Sequence, residues 1–120
     1  MVDEMLFGPW KDWYLEKRPL FTTDPFFHAG AYYVQEASSM FISHIVRQLK
    51  NSNEKLNILD LCAAPGGKTT LLANYFKNSL LVANEIIKTR VGVLAENITK
   101  WGSANVLVSN NDPKDFNSLK

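Results

Sequence analysis

Apolar side chains recur at helical spacing in the first clearly periodic part of the chain. From Gln35 to about Lys50 they return every three or four positions, which is the pattern of an amphipathic helix. We expect the apolar stripe to be the core-facing side of this helix, and it consists of Ala37, Met40, Phe41, His44, Ile45, Val46 and Leu49. His44 on this stripe is interpreted as a packed core histidine rather than a catalyst.

Three short apolar runs follow, separated by two more helical segments. The runs predict strands at residues 56–61, 80–83 and 105–109. The first helical segment, residues 69–76, is expected to carry its apolar side chains on one face, and these are Leu71, Leu72, Tyr75 and Phe76. Strands that alternate with helices over such short connections predict a parallel sheet with right-handed crossovers. The expected fold class is therefore α/β.

The second helical segment gives the clearest helix signal, from Lys88 to Trp101. Glu96 can pair with Lys100 one turn later, and Gly102 supplies a stop. Its apolar stripe is expected to be Ile87, Val91, Leu94, Ile98 and Trp101.

The N-terminal part has a different composition. Three of the five prolines lie in it, and they predict turns and short extended pieces rather than one long helix; they are Pro9, Pro19 and Pro25. Most aromatic residues also lie here, and without an accompanying basic cluster we interpret them as packing groups rather than as a surface that stacks on RNA bases. We therefore divide the chain into a turn-rich segment, residues 1–34, and a ligand-binding domain, residues 35–120.

Composition narrows the class of protein. With 120 residues, 46% of them hydrophobic, the chain is long enough for one core. A net charge of +1 excludes the strongly basic footprint of a stand-alone nucleic-acid-coating protein. No apolar run approaches the roughly 20 residues of a membrane span, so we expect a soluble, cytoplasmic protein. One cysteine and two histidines make a disulfide or a structural metal site unexpected.

Candidate chemistry lies where strands end, because ligands of open α/β sheets bind at the carboxyl ends of the strands. The first strand is followed by a loop of small residues and two glycines, which consists of Cys62, Ala63, Ala64, Pro65, Gly66, Gly67 and Lys68. Its backbone can approach a ligand closely, and the helix that begins near Thr69 offers free N–H groups to an anion. Both a carboxylate and a phosphate would suit this loop.

Neither nucleotide-binding motif is complete in this loop. Gly67-Lys68-Thr69 matches the end of a phosphate-binding P-loop, but Cys62 stands where that motif needs a glycine. A G-x-G-x-x-G fingerprint also fails, because Gly66 and Gly67 are adjacent and no third glycine opens the helix.

Acidic residues follow the other two strands. Glu85 is placed to accept the hydroxyl hydrogens of a ribose, and Asp112 could accept a hydrogen bond from an adenine amino group. A loop that suits a small carboxylate, an acid that suits a ribose and an acid that suits an adenine together match the three parts of S-adenosylmethionine.

Several segments resemble the motifs of a known family. Residues 59–69, LDLCAAPGGKT, look like the cofactor motif of the Sun-type RNA cytosine-5 methyltransferases, and residues 32–40, YYVQEASSM, resemble the segment before it. Ala83-Asn84-Glu85 and Asn110-Asn111-Asp112-Pro113 resemble the next two motifs. The likeness to the bacterial ribosomal-RNA branch runs from about Gly8 to the C-terminus.

This resemblance implies a Rossmann-like methyltransferase fold, truncated after the third parallel strand, in which residues 35–120 form a partial S-adenosylmethionine-binding domain. Residues 62–68 would wrap the methionine end of the cofactor, Glu85 the ribose and Asp112 the adenine. The implied reaction transfers a methyl group to C5 of a cytosine in ribosomal RNA, flipped out or single-stranded.

The resemblance also implies what this chain lacks. Members of the family attack C6 of the base with a cysteine thiolate carried on loops after the fourth and fifth strands. The chain ends before these loops, so we assign no catalytic residue. The expected partner is RNA, and we expect neither a membrane nor a metal to take part.

Two alternatives to this enzyme stay open. The missing cysteine favours a cofactor-binding fragment without turnover, and Gly67-Lys68-Thr69 leaves a less favoured P-loop-like nucleotide-binding protein.

In the family the fourth strand pairs with the free side of the first, so residues 56–61 are expected to present an unpaired apolar edge. Such an edge predicts marginal stability or self-association.

Overall fold

A computed structural model of the chain describes residues 4–7, 12–14, 17 and 20–118, the first two stretches by their backbone alone. Its N-terminal part is an antiparallel sheet in the order β2-β1-β3, whose strands are β1 (Glu4–Phe7), β2 (Asp12–Tyr14) and β3 (Tyr33–Glu36). A 3₁₀ turn at Phe21–Thr23 and a short helix, α1 (Pro25–His28), precede β3. Short extended pieces and turns are thus confirmed for the described residues, and β3 crosses the expected domain boundary after residue 34.

The segment before β3 is stabilised locally. The Asp24 carboxylate caps α1 by accepting a hydrogen bond of 2.9 Å from the backbone N–H of Phe26, and Pro25 occupies the first helical turn. The Phe27 ring packs against the rings of Phe21 and Tyr32. These aromatic side chains therefore contact one another. The packing interpretation also covers Phe7, Trp10, Trp13 and Tyr14, whose side chains lie outside the described part of the structure.

The second part is a parallel sheet, as the alternation of strands and helices predicts, and its strands lie in the order β4-β5-β6. Its strands are β4 (Asn57–Asp60), β5 (Leu80–Asn84) and β6 (Val106–Ser109). The accompanying helices are α2 (Ala37–Leu49), α3 (Gly67–Tyr75) and α4 (Lys88–Trp101). The α/β class is confirmed.

Helix α4 has the predicted bounds and covers one part of the core. Leu94 and Ile98 are buried in a cluster with Ala63, Ala64 and Ala83, against which Val106 and Val108 of β6 also pack. Gly102 ends the helix in the left-handed conformation, with φ 74°. The predicted pair forms, with Lys100 Nζ 2.5 Å from Glu96 Oε1. Ile87 is the exception in the stripe, because it caps the helix and is 49% exposed.

The prediction that the apolar stripe of α2 faces the core is wrong. Phe41 is 61% exposed, Ile45 40% and Leu49 71%, whereas Ser43 is the buried residue of this helix. The helix contacts α3 and β3 instead. Ser43 lies outside the apolar stripe, and among the described residues nothing covers Phe41, Ile45 and Leu49.

Two related expectations also fail. His44 is not a core residue: it is exposed, its ring stacks on Phe41, and its Nε2 lies 2.8 Å from Gln48 Nε2. Helix α3 does not bury a single apolar face, because Thr69 and Thr70 are fully buried along with Leu71. The reason is that α3 lies between α2, β3 and β5, and these neighbours surround it on several sides.

Strand β4 lies at the edge of the parallel sheet. Among the described strands it pairs with β5 alone. Leu59 is 43% exposed and Leu61 is 37% exposed on or beside this strand. The expected unpaired apolar edge is therefore present in the described part of the chain.

Candidate ligand-binding site

The loop between β4 and α3 is closed at its base by a buried hydrogen bond. Thr69 Oγ1 donates to Asp60 Oδ2 over 2.6 Å, and Thr69 itself is fully buried. Asp60 is the last residue of the strand and Thr69 lies in the first turn of the helix. This bond fixes the distance between strand end and helix start, so residues 61–68 form a constrained loop at the carboxyl edge of the sheet.

Three backbone N–H groups of this loop bond within the protein. The N–H of Ala63 donates to the carbonyl of Asn84 (2.7 Å), that of Ala64 to Glu85 Oε2 (3.3 Å) and that of Gly66 to the carbonyl of Ala63 (2.7 Å). A P-loop needs these groups free, because its successive amides cradle a phosphate. The loop geometry therefore disfavours triphosphate binding.

The start of α3 leaves N–H groups available. Gly66 adopts the left-handed conformation with φ 112°, which favours glycine, and serves as the N-cap residue. The N–H of Thr70 bonds to the carbonyl of Gly66. The preceding N–H groups, of Gly67, Lys68 and Thr69, have no acceptor within the helix, and the helix dipole favours a negative group beside them.

A cavity of about 390 Å³ opens beside this helix start. One wall is the loop, represented by Cys62, Ala63, Ala64, Pro65, Gly67 and Lys68. The opposite wall comes from the N-terminal sheet and the start of α2, and comprises Tyr33, Val34, Gln35, Glu36 and Ser39. Phe21 and Asp60 complete the lining. The cavity is thus bordered by the first residues of α3 and by two acidic residues, Glu36 and Asp60.

Gln35 is the most constrained polar residue of this cavity. It is 5% exposed, and its Nε2 is buried without a hydrogen-bond partner. A Cβ on Gly67 would lie 2.5 Å from Gln35 Oε1 and 2.9 Å from Nε2. Glycine at position 67 is therefore what allows the glutamine amide to sit against the helix start. Sequence reasoning gave Gln35 no role in the site, although it lies in the YYVQEASSM segment.

Glu85 is buried behind the loop rather than in the cavity wall. It is 2% exposed; Oε1 accepts from the N–H of Ile87 (3.0 Å), and Oε2 accepts from the N–H of Ala64 and lies 3.4 Å from Arg90 Nη1. Arg90 Nη2 also donates to the carbonyl of Ala64 over 2.6 Å. In this structure Glu85 and Arg90 together anchor the loop to α4, a role that the sequence alone did not suggest.

The remaining predicted site residues lie at different depths. Cys62 and Lys68 are exposed at the cavity, whereas Ala63 and Ala64 are 5% and 8% exposed. Asp112 is exposed beyond β6, where Oδ1 accepts from the N–H of Lys114 (2.9 Å) and caps the 3₁₀ turn that follows. Asp112, Glu85 and Gly66 are outside the lining of the cavity.

A second cavity, of about 420 Å³, lies at the opposite ends of β4 and β5, where Arg47 and Tyr75 form part of its lining. It contains none of the loop residues. In the part of the chain that the structure describes, no three His, Cys, Asp or Glu side chains are placed to hold a metal ion. No helix of that part is long and apolar enough to cross a membrane.

A family model agrees with these features. The model of the 16S rRNA methyltransferase RsmB/F family matches residues 46–120, which include the loop, Glu85 and Asp112. The chain belongs to the RsmB/F family. The resemblance inferred from residues 59–69 is thereby confirmed.

Curated relatives of this RsmB/F chain carry the same family name. It is 44% identical over 89 residues to ribosomal RNA small subunit methyltransferase F of Aliivibrio fischeri, which covers 73% of this chain and 18% of that protein. The corresponding protein of Shewanella sediminis is 40% identical over 88 residues, covering 72% of this chain and 18% of the relative. The chain therefore spans about a fifth of the length of these relatives.

Solved structures of similar fold include NSun6 from Pyrococcus horikoshii with SFG, with a TM-score of 0.71 and 28% identity. That match covers 86% of this chain and 26% of NSun6. A methyltransferase homologue from the same organism superimposes with a TM-score of 0.80 over 99% of this chain and 47% of its own, at 20% identity, and so supports the fold alone. The Rossmann-like methyltransferase fold of the RsmB/F chain is confirmed.

Proposed function

We propose that this chain is the S-adenosylmethionine-binding part of a methyltransferase that modifies C5 of cytosine in ribosomal RNA. The observation that carries the proposal is the cavity between the loop and β3, in a chain of the RsmB/F family. The cofactor would supply an electrophilic methyl group on its sulfonium. The residues of this chain would bind and orient it.

Two features of the cavity suit the amino-acid end of the cofactor. The buried Nε2 of Gln35 lacks a partner, and glycine at position 67 lets the Gln35 amide lie against the start of α3, where a Cβ would clash with it. The free N–H groups at the start of α3 suit a carboxylate, and the carboxylates of Glu36 and Asp60 in the lining suit an ammonium group. A zwitterionic amino acid therefore fits the charge pattern of the cavity.

Cys62 to Lys68 are proposed to hold this end of the cofactor, while Glu85 and Asp112 are proposed for the ribose and the adenine. Each Glu85 oxygen already accepts a backbone N–H, and a carboxylate oxygen has capacity for a further donor. We assign no catalytic residue. Thiolate addition at C6 is expected from a cysteine other than Cys62, which lines the cofactor cavity.

Calorimetric titration with S-adenosylmethionine tests the binding proposal. We expect saturable binding that Lys68→Glu weakens about tenfold, which corresponds to ~1.4 kcal/mol, because the reversed charge lies beside the proposed carboxylate. Lys88→Glu is the matched control, since Lys88 is an exposed lysine in the first turn of α4, outside the cavity. Glu85→Ala is a poorer test because it also releases the loop.

Binding of ATP with magnesium in place of S-adenosylmethionine would overturn the proposal in favour of the P-loop alternative. A folded chain that binds neither would overturn it as well. Transfer of a labelled methyl group to ribosomal RNA, mapped to C5 by mass spectrometry, tests the reaction. We expect no transfer by these 120 residues alone. Transfer by them that Cys62→Ala abolishes would overturn the view that Cys62 is not the nucleophile.

A further inference from the structure

Gln35 has an unsatisfied donor in a place where proteins rarely leave one. Its Nε2 is buried without a hydrogen-bond partner, and the residue is 5% exposed. An unpaired buried donor is unfavourable, and most such groups in folded proteins have a partner. Gln35 lines the cavity, and a half-turn of its amide exchanges Nε2 with Oε1, the atom of the pair that is not buried, so that an acceptor entering the cavity can then supply the missing partner.

The position of the amide limits which acceptor this can be. Gln35 Oε1 and Nε2 lie 2.5 Å and 2.9 Å from the point where a Cβ of residue 67 would be. The glutamine therefore borders the first turn of α3, beside the N–H groups that have no helical acceptor. A group that meets both sets of donors should be negatively charged and should have more than one acceptor atom, as a carboxylate has.

The N-terminal sheet holds Gln35 in this position. Gln35 lies in the middle of β3, and its backbone is paired with Met5 of β1. Strand β3 also contacts α3 directly. Gln35 thus lies outside the parallel sheet, yet β3 brings it to the start of α3. The backbone of β3 is itself held in place by its pairing with β1.

We propose that Gln35 donates a hydrogen bond from Nε2 to the α-carboxylate of the methionine moiety, and so selects ligands that carry an amino-acid end. This inference rests on the proposed function, and it assigns the residue that recognises one part of the cofactor. Gln35 is a binding residue here. It contributes nothing to the bonds that form or break during methyl transfer.

Two ligands separate this contact from the rest of the cofactor. S-adenosylhomocysteine and 5′-methylthioadenosine share the adenosine and the thioether, but only the first has an α-amino-acid end. Gln35→Leu is expected to weaken S-adenosylhomocysteine about 10- to 100-fold, the range expected for a hydrogen bond to a charged group, and to change methylthioadenosine less than about twofold. Gln35→Glu is expected to weaken S-adenosylhomocysteine further, because it places two carboxylates together.

Gln48→Leu is the matched control, since Gln48 is exposed on α2 outside this cavity. Without ligand, Gln35→Leu should melt at the same temperature as the unsubstituted chain or higher, because it removes an unpaired buried donor. Equal losses for both ligands in the Gln35 variants would overturn this inference and leave the proposed function intact. If the unsubstituted chain binds methylthioadenosine but not S-adenosylhomocysteine, the inference is wrong; if it binds neither, the proposed function fails with it.

Discussion

Asn84 and Asn111 exchange two hydrogen bonds, each 3.0 Å long: Asn84 Nδ2 donates to the carbonyl of Asn111, and the N–H of Asn111 donates to Asn84 Oδ1. Asn84 Nδ2 also donates to the carbonyl of Leu61 (3.2 Å), and Oδ1 accepts from Ser109 Oγ (2.9 Å). One fully buried side chain therefore joins the carboxyl ends of all three parallel strands. These ends carry the loop, Glu85 and Asp112, so Asn84 sets their relative positions.

Removing this amide should destabilise the chain. Asn84→Ala is expected to lower the free energy of unfolding by about 3 kcal/mol, because it leaves several buried backbone groups without partners. Urea unfolding measures the change. Asn78→Ala is the control, since Asn78 is exposed, and its effect should be small. A loss of less than about 1 kcal/mol for Asn84→Ala would contradict the role given to this side chain.

Two glycines allow a paired test of how the N-terminal segment meets α4. Gly30 has φ 72°, and a Cβ there would overlap the carbonyl oxygen of Lys100, whereas a Cβ at Gly92 would meet nothing within 4 Å. We expect Gly30→Ala to lower the free energy of unfolding by about 3 kcal/mol. Gly92→Ala, within α4, should raise it by about 0.5–1 kcal/mol.

Thermal or urea unfolding of both glycine variants provides the measurement. Similar stabilities for the two would show that residues before β3 do not pack on the end of α4 in solution.

Stability should fall at alkaline pH because of two tyrosines. Burial raises the pKa of Tyr33 from 10.0 to about 12, and burial together with the Asp24 carboxylate raises the pKa of Tyr32 to about 12. Below pH 10 both phenols keep their protons in the folded and unfolded chains. Between pH 10 and about 12 these tyrosines bind fewer protons in the unfolded chain than in the folded chain. The free energy of unfolding therefore decreases as pH rises.

Replacing one phenol should flatten this pH dependence. Tyr33→Phe keeps the ring that packs edge-on against Trp101 and removes the titrating group. Its free energy of unfolding should decline less steeply above pH 10 than that of the unsubstituted chain, and Tyr32→Phe should act in the same direction. Urea titrations at several pH values, with tyrosinate absorbance, measure both effects. An unchanged slope in Tyr33→Phe would exclude this cause.

The edge of the parallel sheet should promote self-association. Leu59 on β4 is 43% exposed beside backbone groups that no described strand pairs with, and such edges tend to recruit another chain. We expect the chain to form dimers or larger species as its concentration rises, and Leu59→Lys to reduce them. Val93→Lys is the matched control, because Val93 is a similarly exposed apolar residue on α4 rather than on an edge strand. Sedimentation velocity that finds only monomer across a wide concentration range would contradict the prediction.

The sequence by itself determined the features that depend on local spacing. The bounds of α4, its stop at Gly102 and the Glu96–Lys100 pair all follow from residues within one or two turns of each other. The parallel direction of the strands follows from the helical crossovers that connect them. The small residues and glycines of the loop marked the region that we propose as the ligand site, and the motif at residues 59–69 identified the family.

Only the tertiary structure decided which partner each side chain meets. The periodicity of α2 specified an apolar face, but the folded helix, which contacts α3 and β3, buries Ser43 and leaves Phe41 and Leu49 exposed. Glu85 follows its strand as expected, yet its burial against Ala64 and Arg90 depends on α4 returning over the loop. Gln35 is 32 positions before Gly67 in the sequence, and the folding of β3 onto α3 is what brings them together. Contacts between distant segments have no local signature, because they arise from packing whole elements against one another.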